Sequence, residues 1–355
     1  MRSVIYHRYG EPTDVLQLTE APALPAPAKD EVLIRVNSRP VHPGDLLGVR
    51  GFYRAVGSTA PVGPEGNRPG FEGAGTVEAV GPQVDRALGL VPGRRVAFFP
   101  GRWAWSDKVL VAARFVTPIP DDVQDTVAAQ LHVNPLTAAM LVRAAEGAGI
   151  GQGDVVVLTA AASQVAKLAA KILLGKGYAP IGIVRSAESK NHLTAELPEM
   201  PIVVTGSSDE PMPHGAAATV GPAWCDALRN IANGRPIRSI LDPVGGELAS
   251  TLISRMDGGS LISYGDLSGE TINLPSLAFS VRGITISGVS VGGWGNLPDH
   301  IRAADLATAR DLARTSGGLF AVAAEYDLSE VAKAAKHSER PRKSGTILLT
   351  SWLDT

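Results

Sequence analysis

The stretch DVVVLTAAASQVAKLAAKILLGKG, Asp154 to Gly177, constrains the fold more than any other part of the chain. Its VVVL run has no polar face, so a strand formed there must be covered on both sides. A helix-forming run rich in Ala, Leu and Lys follows at once and stops at Gly175 and Gly177. A buried strand feeding directly into a helix is half of a parallel crossover unit, because parallel strands cannot be joined by a tight hairpin. The pattern recurs in APIGIVRS, PIVVTG, IRSILDPVGG, GSLISYGDLS and ITISGVSVGG, with helical segments between several of them. Residues 126–293 are therefore expected to form a doubly wound α/β domain with a parallel, Rossmann-type sheet.

The first third reads differently. EVLIRVNS, GTVEAVG, RRVAFFP and SDKVLVAARFVTPIP are short alternating runs separated by Gly and Pro, the pattern of a barrel-like β domain. The stretch from Gly51 to Gly70 has the composition of a long loop, and long loops within compact domains are often functional. DDVQDTVAAQLHVNPLTAAMLVRAAEG has helical spacing, and a polar helix, LFAVAAEYDLSEVAKAAKHS and a last strand KSGTILLTS follow Trp294. The expected division is residues 1–125 with 294–355 as a catalytic domain, and 126–293 for nucleotide binding. With 355 residues, two domains are also what a single hydrophobic core demands.

Composition excludes several classes of function. The formal net charge is −2, so no long-range field draws nucleic acid or an anionic membrane. No run of about 18 apolar residues offers a membrane span. The N-terminus MRSVIYHRYG is not a secretory signal, and a cytoplasmic protein is expected. Cys225 is the sole cysteine, which rules out an intramolecular disulfide and a four-cysteine zinc lobe.

The turn TAAAS is the leading candidate site. Placed between a buried strand and a helix start, it receives free backbone N–H groups and the positive helix end, the usual seat of a dinucleotide pyrophosphate. The G-x-G-x-x-G glycines are absent, with Ala160, Ala161, Ala162, Ser163 and Ala166 in their place. An ordinary strand-to-helix turn gives the same pattern. The glycines of GAGIGQGD precede the strand, where a phosphate loop cannot be, and read as a turn. At the end of the next strand stand Arg185 and Ser186, with Lys190 beyond. A guanidinium and a hydroxyl suit a ribose 2′-phosphate, so NADPH is favoured over NADH. Glu188 would reach the ribose in the opposite case, and an exposed Arg185 with no ligand is the plain alternative. In HPGD, His42 and Asp45 would need a further ligand to hold a metal. Phe71 in GFEGAG has no lone pair to give, so Asp45 and Glu72 are expected to hold their loops by hydrogen bonds. Tyr53, in RGFYR, is either a packed loop aromatic or a hydrogen-bond donor to developing negative charge.

Together HPGD, GFYR, GFEGAGTVEAVG, HVNPLTA, the strand–turn–helix, LDPVGG and YGDLSG resemble the zinc-free branch of the medium-chain dehydrogenase/reductase superfamily, over essentially the whole chain. The resemblance points to its 2-enoyl thioester reductases, with quinone oxidoreductases as near relatives. It implies a GroES-like catalytic domain, a Rossmann domain and a homodimer. Phe71 falls where zinc-binding members carry His. Tyr53 matches the proton-donating tyrosine. Asn134 matches the asparagine beside the cofactor, and Ala162, Ser163, Gln164 and Val165 the pyrophosphate turn. Arg185 and Ser186 match the 2′-phosphate site. Tyr264, Gly265, Asp266 and Leu267 match a segment along the nicotinamide. Val289, Ser290 and Val291 match a second such segment, with smaller side chains than the family often has.

The implied reaction takes hydride from NADPH to the β-carbon of an activated C=C bond and a proton from Tyr53. The acceptor would be an enoyl thioester, or alternatively a quinone or small enone. A phosphate-bearing thioester would need a basic entrance, for which Arg50, Arg54 and Arg68 are at hand unless they are ordinary surface cations. A dinucleotide-binding protein without turnover is the reading the degenerate turn favours.

Overall fold

The computed structural model describes residues 1–55, 61–206, 223–340 and 345–351, and the chain falls into two compact units. One unit comprises Met1–Val133 and Gly295–Thr355, the other Asn134–Trp294.

The second unit is built on a six-stranded sheet in the order Ile202–Val204, Ala179–Val184, Val155–Leu158, Ile237–Asp242, Gly259–Ser263, Ile284–Gly288. Every neighbouring pair is parallel. In order of sequence this is 3-2-1-4-5-6, the doubly wound dinucleotide-binding arrangement, whose strand order reverses beside the first strand. That first strand is Val155–Leu158, and all four of its residues are buried, as an uninterrupted apolar run requires. Val155, Val157, Ile181, Ile183, Ile240 and Leu261 supply one core with side chains of the flanking helices. The helix Gln164–Gly175 follows the first strand across the TAAAS turn.

The first unit holds a seven-stranded mixed sheet around the long strand Glu31–Pro40, which pairs antiparallel with Gly73–Val80, Lys108–Ala112 and Thr346–Thr350. Burial alternates along Glu31–Pro40, so one face carries Val32, Ile34 and Val36 into a core with Val77, Val96 and Phe98. A small hairpin, Arg2–Ile5 with Gln17–Glu20, was not legible as such in the sequence.

Two segments differ from their sequence reading. Asp121 to Gly147 is not one helix but a short one, Asp125–Ala128, and a long one, Val133–Gly147. The stretch after Gly51 is not wholly loop: Phe52–Ala55 forms a helical turn. Gly51 makes this possible, because it caps the helix Pro43–Arg50 at φ 86°, where a side chain would also meet Tyr9 at 2.9 Å. Part of that loop, 56–60, lies outside the described residues.

Candidate active site

In the second unit, candidate groups from four segments gather at the carboxyl ends of the strands. Ser163 is the N-cap of the helix Gln164–Gly175, its hydroxyl accepting from the Ala166 amide at 3.3 Å. Asn134 Nδ2 donates to Gln164 Oε1 at 3.2 Å, which ties the HVNPLTA helix to the turn. Tyr264 follows the strand Gly259–Ser263. Its hydroxyl is buried near Ser163 and Asp242 and has no hydrogen-bond partner among the described residues. Burial pushes this phenol well above its ordinary range. The segment it begins is fastened to LDPVGG by backbone bonds, Tyr264 N to Asp242 O at 3.0 Å and Leu267 N to Pro243 O at 2.9 Å. Gly265 permits this approach, since a Cβ there would lie 3.0 Å from the Pro243 carbonyl oxygen. Asp242 in turn accepts from the Thr159 hydroxyl and from the Gly245 amide at 2.8 Å.

The turn solves its missing glycines in two ways. Ala160 takes the left-handed backbone itself, at φ 45°. The room that a turn glycine would leave is instead made by Gly182 on the next strand, where a Cβ would come within 2.9 Å of the Ala161 methyl. Gly182 was not singled out in the sequence; its place one strand over is a tertiary fact. Ala162 is exposed, and Ser163, Gln164 and Val165 are half-buried.

Arg185 is exposed just past the strand Ala179–Val184 and forms no ion pair among the described residues. Ser186 caps the following helix, accepting from the Ser189 amide at 3.2 Å, so its hydroxyl is partly engaged. Lys190 and Asp266 are exposed, and Leu267 is 62% exposed. Val289 is held to the sheet by its amide on Ser263 O at 2.8 Å, while Ser290 is exposed and Val291 begins a 3₁₀ turn. An orphaned buried phenol, a capped helix start, small turn residues and a free guanidinium at the second strand end fit a phosphorylated dinucleotide. A larger cavity of about 460 Å³, lined by Asp154, Arg238, Gly259 and Gly283, lies at the amino ends of the strands, away from all of these groups.

The first unit holds a smaller cavity, about 250 Å³, whose lining includes Asp45, Tyr53, Arg68, Phe71, Arg102 and Trp103. Tyr53 reaches it from the helical turn after Gly51. Its ring lies over Gly48 and its hydroxyl over Gly44, which are one turn apart on the helix Pro43–Arg50; a Cβ at Gly44 would stand 3.1 Å from the phenol oxygen. Burial, and then the nearby Asp45 charge, raise the Tyr53 pKa. A phenol keeps its proton at neutral pH and so has a hydrogen bond to donate.

The HPGD and GFEG motifs form the wall behind it. Asp45 Oδ2 accepts from the His42 amide at 3.0 Å, while Oδ1 has no partner among the described residues. Burial pushes Asp45 up to about 7. Glu72 Oε2 meets His42 Nε2 at 2.6 Å, and Oε1 takes the amides of His132 and Val133 at 2.6 and 2.9 Å. The carboxylates thus fasten the polypeptide, as expected of them. Phe71 stacks on the His42 ring, centroids 5.9 Å apart and planes 6° from parallel. Among the described residues no three His, Cys, Asp or Glu side chains converge as metal ligands. Arg50 is corrected as an entrance cation: it is spent on Glu11 and Glu339, at 2.8 and 2.6 Å. Arg102, which no motif singled out, lines the cavity.

Residues 28–121 match the alcohol dehydrogenase GroES-like domain. The mitochondrial enoyl-[acyl-carrier-protein] reductase of Xenopus tropicalis is 26% identical over 295 residues, covering 82% of this chain and 78% of that protein. The Caenorhabditis elegans counterpart is 25% identical over 297 residues, with the same coverage. A solved Bacillus thuringiensis protein assigned as an NADPH:quinone reductase superposes with TM-score 0.81 at 26% identity, over 99% of both chains. These likenesses support a protein of the medium-chain dehydrogenase/reductase superfamily. They likewise support an oxidoreductase with a GroES-like and a Rossmann part. The superfamily's fold also appears in Escherichia coli quinone oxidoreductase complexed with NADPH, with TM-score 0.79 at 20% identity. No described helix is long and apolar enough to cross a membrane.

Proposed function

We propose that the protein is an NADPH-dependent, zinc-independent reductase of activated C=C bonds, of the 2-enoyl thioester reductase type. The observation that carries this reading is Tyr53: a phenol, 36% exposed, set over two glycines at a cavity of about 250 Å³. NADPH, when bound, supplies a hydride to the β-carbon. Negative charge then builds on the conjugated carbonyl oxygen, and Tyr53 stabilises it and returns a proton to the α-carbon. The second unit does the holding. The helix start at Ser163 and the small residues Ala160 to Ala162 seat the pyrophosphate, and Asn134 orients Gln164 beside it. Arg185, with Ser186 and Lys190, takes the 2′-phosphate. Tyr264 to Leu267 and Val289 to Val291 flank the nicotinamide.

A quinone or small enone is the second reading of the acceptor, favoured by the likeness to the Bacillus thuringiensis NADPH:quinone reductase assignment across 99% of the chain. Binding without turnover is favoured only by the strained alanine turn. One panel separates the three: NADPH oxidation followed with crotonyl thioesters and with quinones, and NADPH binding measured by fluorescence. Crotonyl reduction is the expected result. Turnover of quinones alone supports the second reading, and binding without turnover of either acceptor supports the third. Elemental analysis should find no stoichiometric zinc. About one tightly held zinc per chain, with activity lost to chelators, would contradict the zinc-independent reading.

A further inference from the structure

Three residues at the mouth of the Tyr53 cavity are not used by the chemistry above. Arg68 and Arg102 both lie over the indole of Trp103, at 5.0 and 5.7 Å from the ring. They come from loops more than thirty residues apart, yet line one cavity of about 250 Å³. Neither guanidinium has an ion-pair partner among the described residues, and the Arg68 Nε is buried without an acceptor. Among the described residues the only carboxyl lining the cavity is Asp45, itself held part-protonated near neutrality by burial.

The arrangement is rigid. The Arg68 amide donates to Asn67 Oδ1 at 2.9 Å, and Asn67 is pinned to Tyr6 by both backbone and side chain. The next residues run beside the Trp103 loop, with Trp105 N on Pro69 O at 3.3 Å and Ala104 N on Gly70 O at 3.0 Å. Gly70, at φ 92°, is what lets them approach: a Cβ there would stand 2.4 Å from Trp105 Cδ1. Trp103 is itself left-handed, at φ 65°, and 39% exposed. A bulky residue rarely adopts that region, and such strained positions cluster at ligand sites. Two like charges held together at a cavity mouth repel each other, and an anion between them removes that cost. Planar guanidiniums bind phosphate oxygens in pairs.

We propose that Arg68, Arg102 and Trp103 form a phosphate-binding subsite beside Tyr53, which selects substrates carrying a phosphate over neutral ones. Its use by a substrate rests on the enoyl thioester reading. The binding itself does not.

The test compares butyryl-coenzyme A with butyryl-pantetheine, saturated esters that cannot be reduced; because the coenzyme also adds adenosine, butyryl-4′-phosphopantetheine, which adds one phosphate alone, is measured beside them and should share the advantage. Calorimetry on the full chain with saturating NADP⁺ should show the coenzyme A ester bound about ten- to a hundred-fold more tightly, the factor one or two charge-assisted contacts give. The advantage should shrink as salt rises. Arg102→Gln, at an exposed residue whose loss cannot unfold the chain, should remove much of it, and the Arg68→Gln/Arg102→Gln pair nearly all. Inorganic pyrophosphate should compete with the coenzyme A ester on wild type only; competition there without an advantage for the ester would identify a free-anion site and overturn the substrate role. Equal affinity for butyryl-coenzyme A and butyryl-pantetheine, or an advantage that survives the double substitution, overturns the subsite. Preferential binding by a protein that reduces no enoyl thioester would sink the reductase reading and leave the subsite standing.

Discussion

At the scale of single residues, the chemistry turns on one hydroxyl and the space kept for it. Tyr53→Phe preserves the ring over Gly48 and should leave NADPH affinity unchanged. Crotonyl thioester reduction should fall roughly ten- to a thousand-fold, the loss expected for one positioned donor. A quinone, able to take its proton from water, should suffer less; wild-type thioester rates in the variant would remove Tyr53 from the mechanism. Gly44→Ala tests the same point from the other side, because its methyl would stand 3.1 Å from the phenol oxygen and must displace it. Arg185→Ala should weaken NADPH by about ten- to a hundred-fold and barely touch NADH; equal weakening would make the residue structural. Two buried groups give stability opposite pH slopes. Asp45, raised from 3.8 to about 7, binds its proton more tightly when folded, so its ionisation costs stability as pH climbs through that window. His132, lowered from 6.5 to about 4 by burial, costs stability as pH falls from the first of these values toward the second. Asp45→Asn keeps an acceptor for the His42 amide and cannot ionise. Its melting temperature relative to wild type should therefore be higher at pH 8 than at pH 5, and an unchanged pH slope would contradict the assignment.

At the scale of elements, the strand–turn–helix is the point of tension. Ala160 holds a backbone conformation that costs an L-residue roughly 1–2 kcal/mol, against an entropic cost for glycine in the unfolded chain of about 0.4–1 kcal/mol. Ala160→Gly should thus stabilise the second unit by up to about 1 kcal/mol, read as a raised denaturation midpoint. Ser163→Ala removes the N-cap of the following helix and should cost about 1 kcal/mol, along with a hydroxyl at the pyrophosphate seat. The Gly182 strand explains why the turn tolerates three alanines at all: the Ala161 methyl occupies the space that a Cβ on residue 182 would need.

At the scale of the molecule, one edge strand is apolar and has a single strand neighbour among the described residues. The strand Ile284–Gly288 ends the six-stranded sheet with Ile286 at 41% exposure, and the preceding helix exposes Leu277 and Val281 at 70% and 75%. An unpaired apolar edge is a template for another strand. We propose that a second copy covers it, as the homodimer reading expects. Light scattering should give about twice 36.9 kDa, and Ile286→Lys should return the mass toward that of one chain. A wild-type protein of single-chain mass would refute the dimer.

The alternation of apolar runs with helices was enough to specify the parallel sheet, because a strand with no polar face has no stable place except between two layers of helix. Short alternating runs likewise announced the β unit. The motifs put Ser163 in the turn before a helix and Asp45 and Glu72 in hydrogen-bonding roles, and marked Phe71 as unable to hold a metal; the cap at Ser163 and the stacking of Phe71 on His42 emerge only in the fold. Sequence could not show that Arg50 is consumed by Glu11 and Glu339, since those partners are distant in the chain. Nor could it pair Arg68 with Arg102 over one indole, trade a turn glycine for Gly182, or set the Tyr53 hydroxyl over Gly44. Local pattern reports which face of an element must be buried. Charge pairing and close approach depend on what another element brings to the same point in space, and that is decided only when the chain packs.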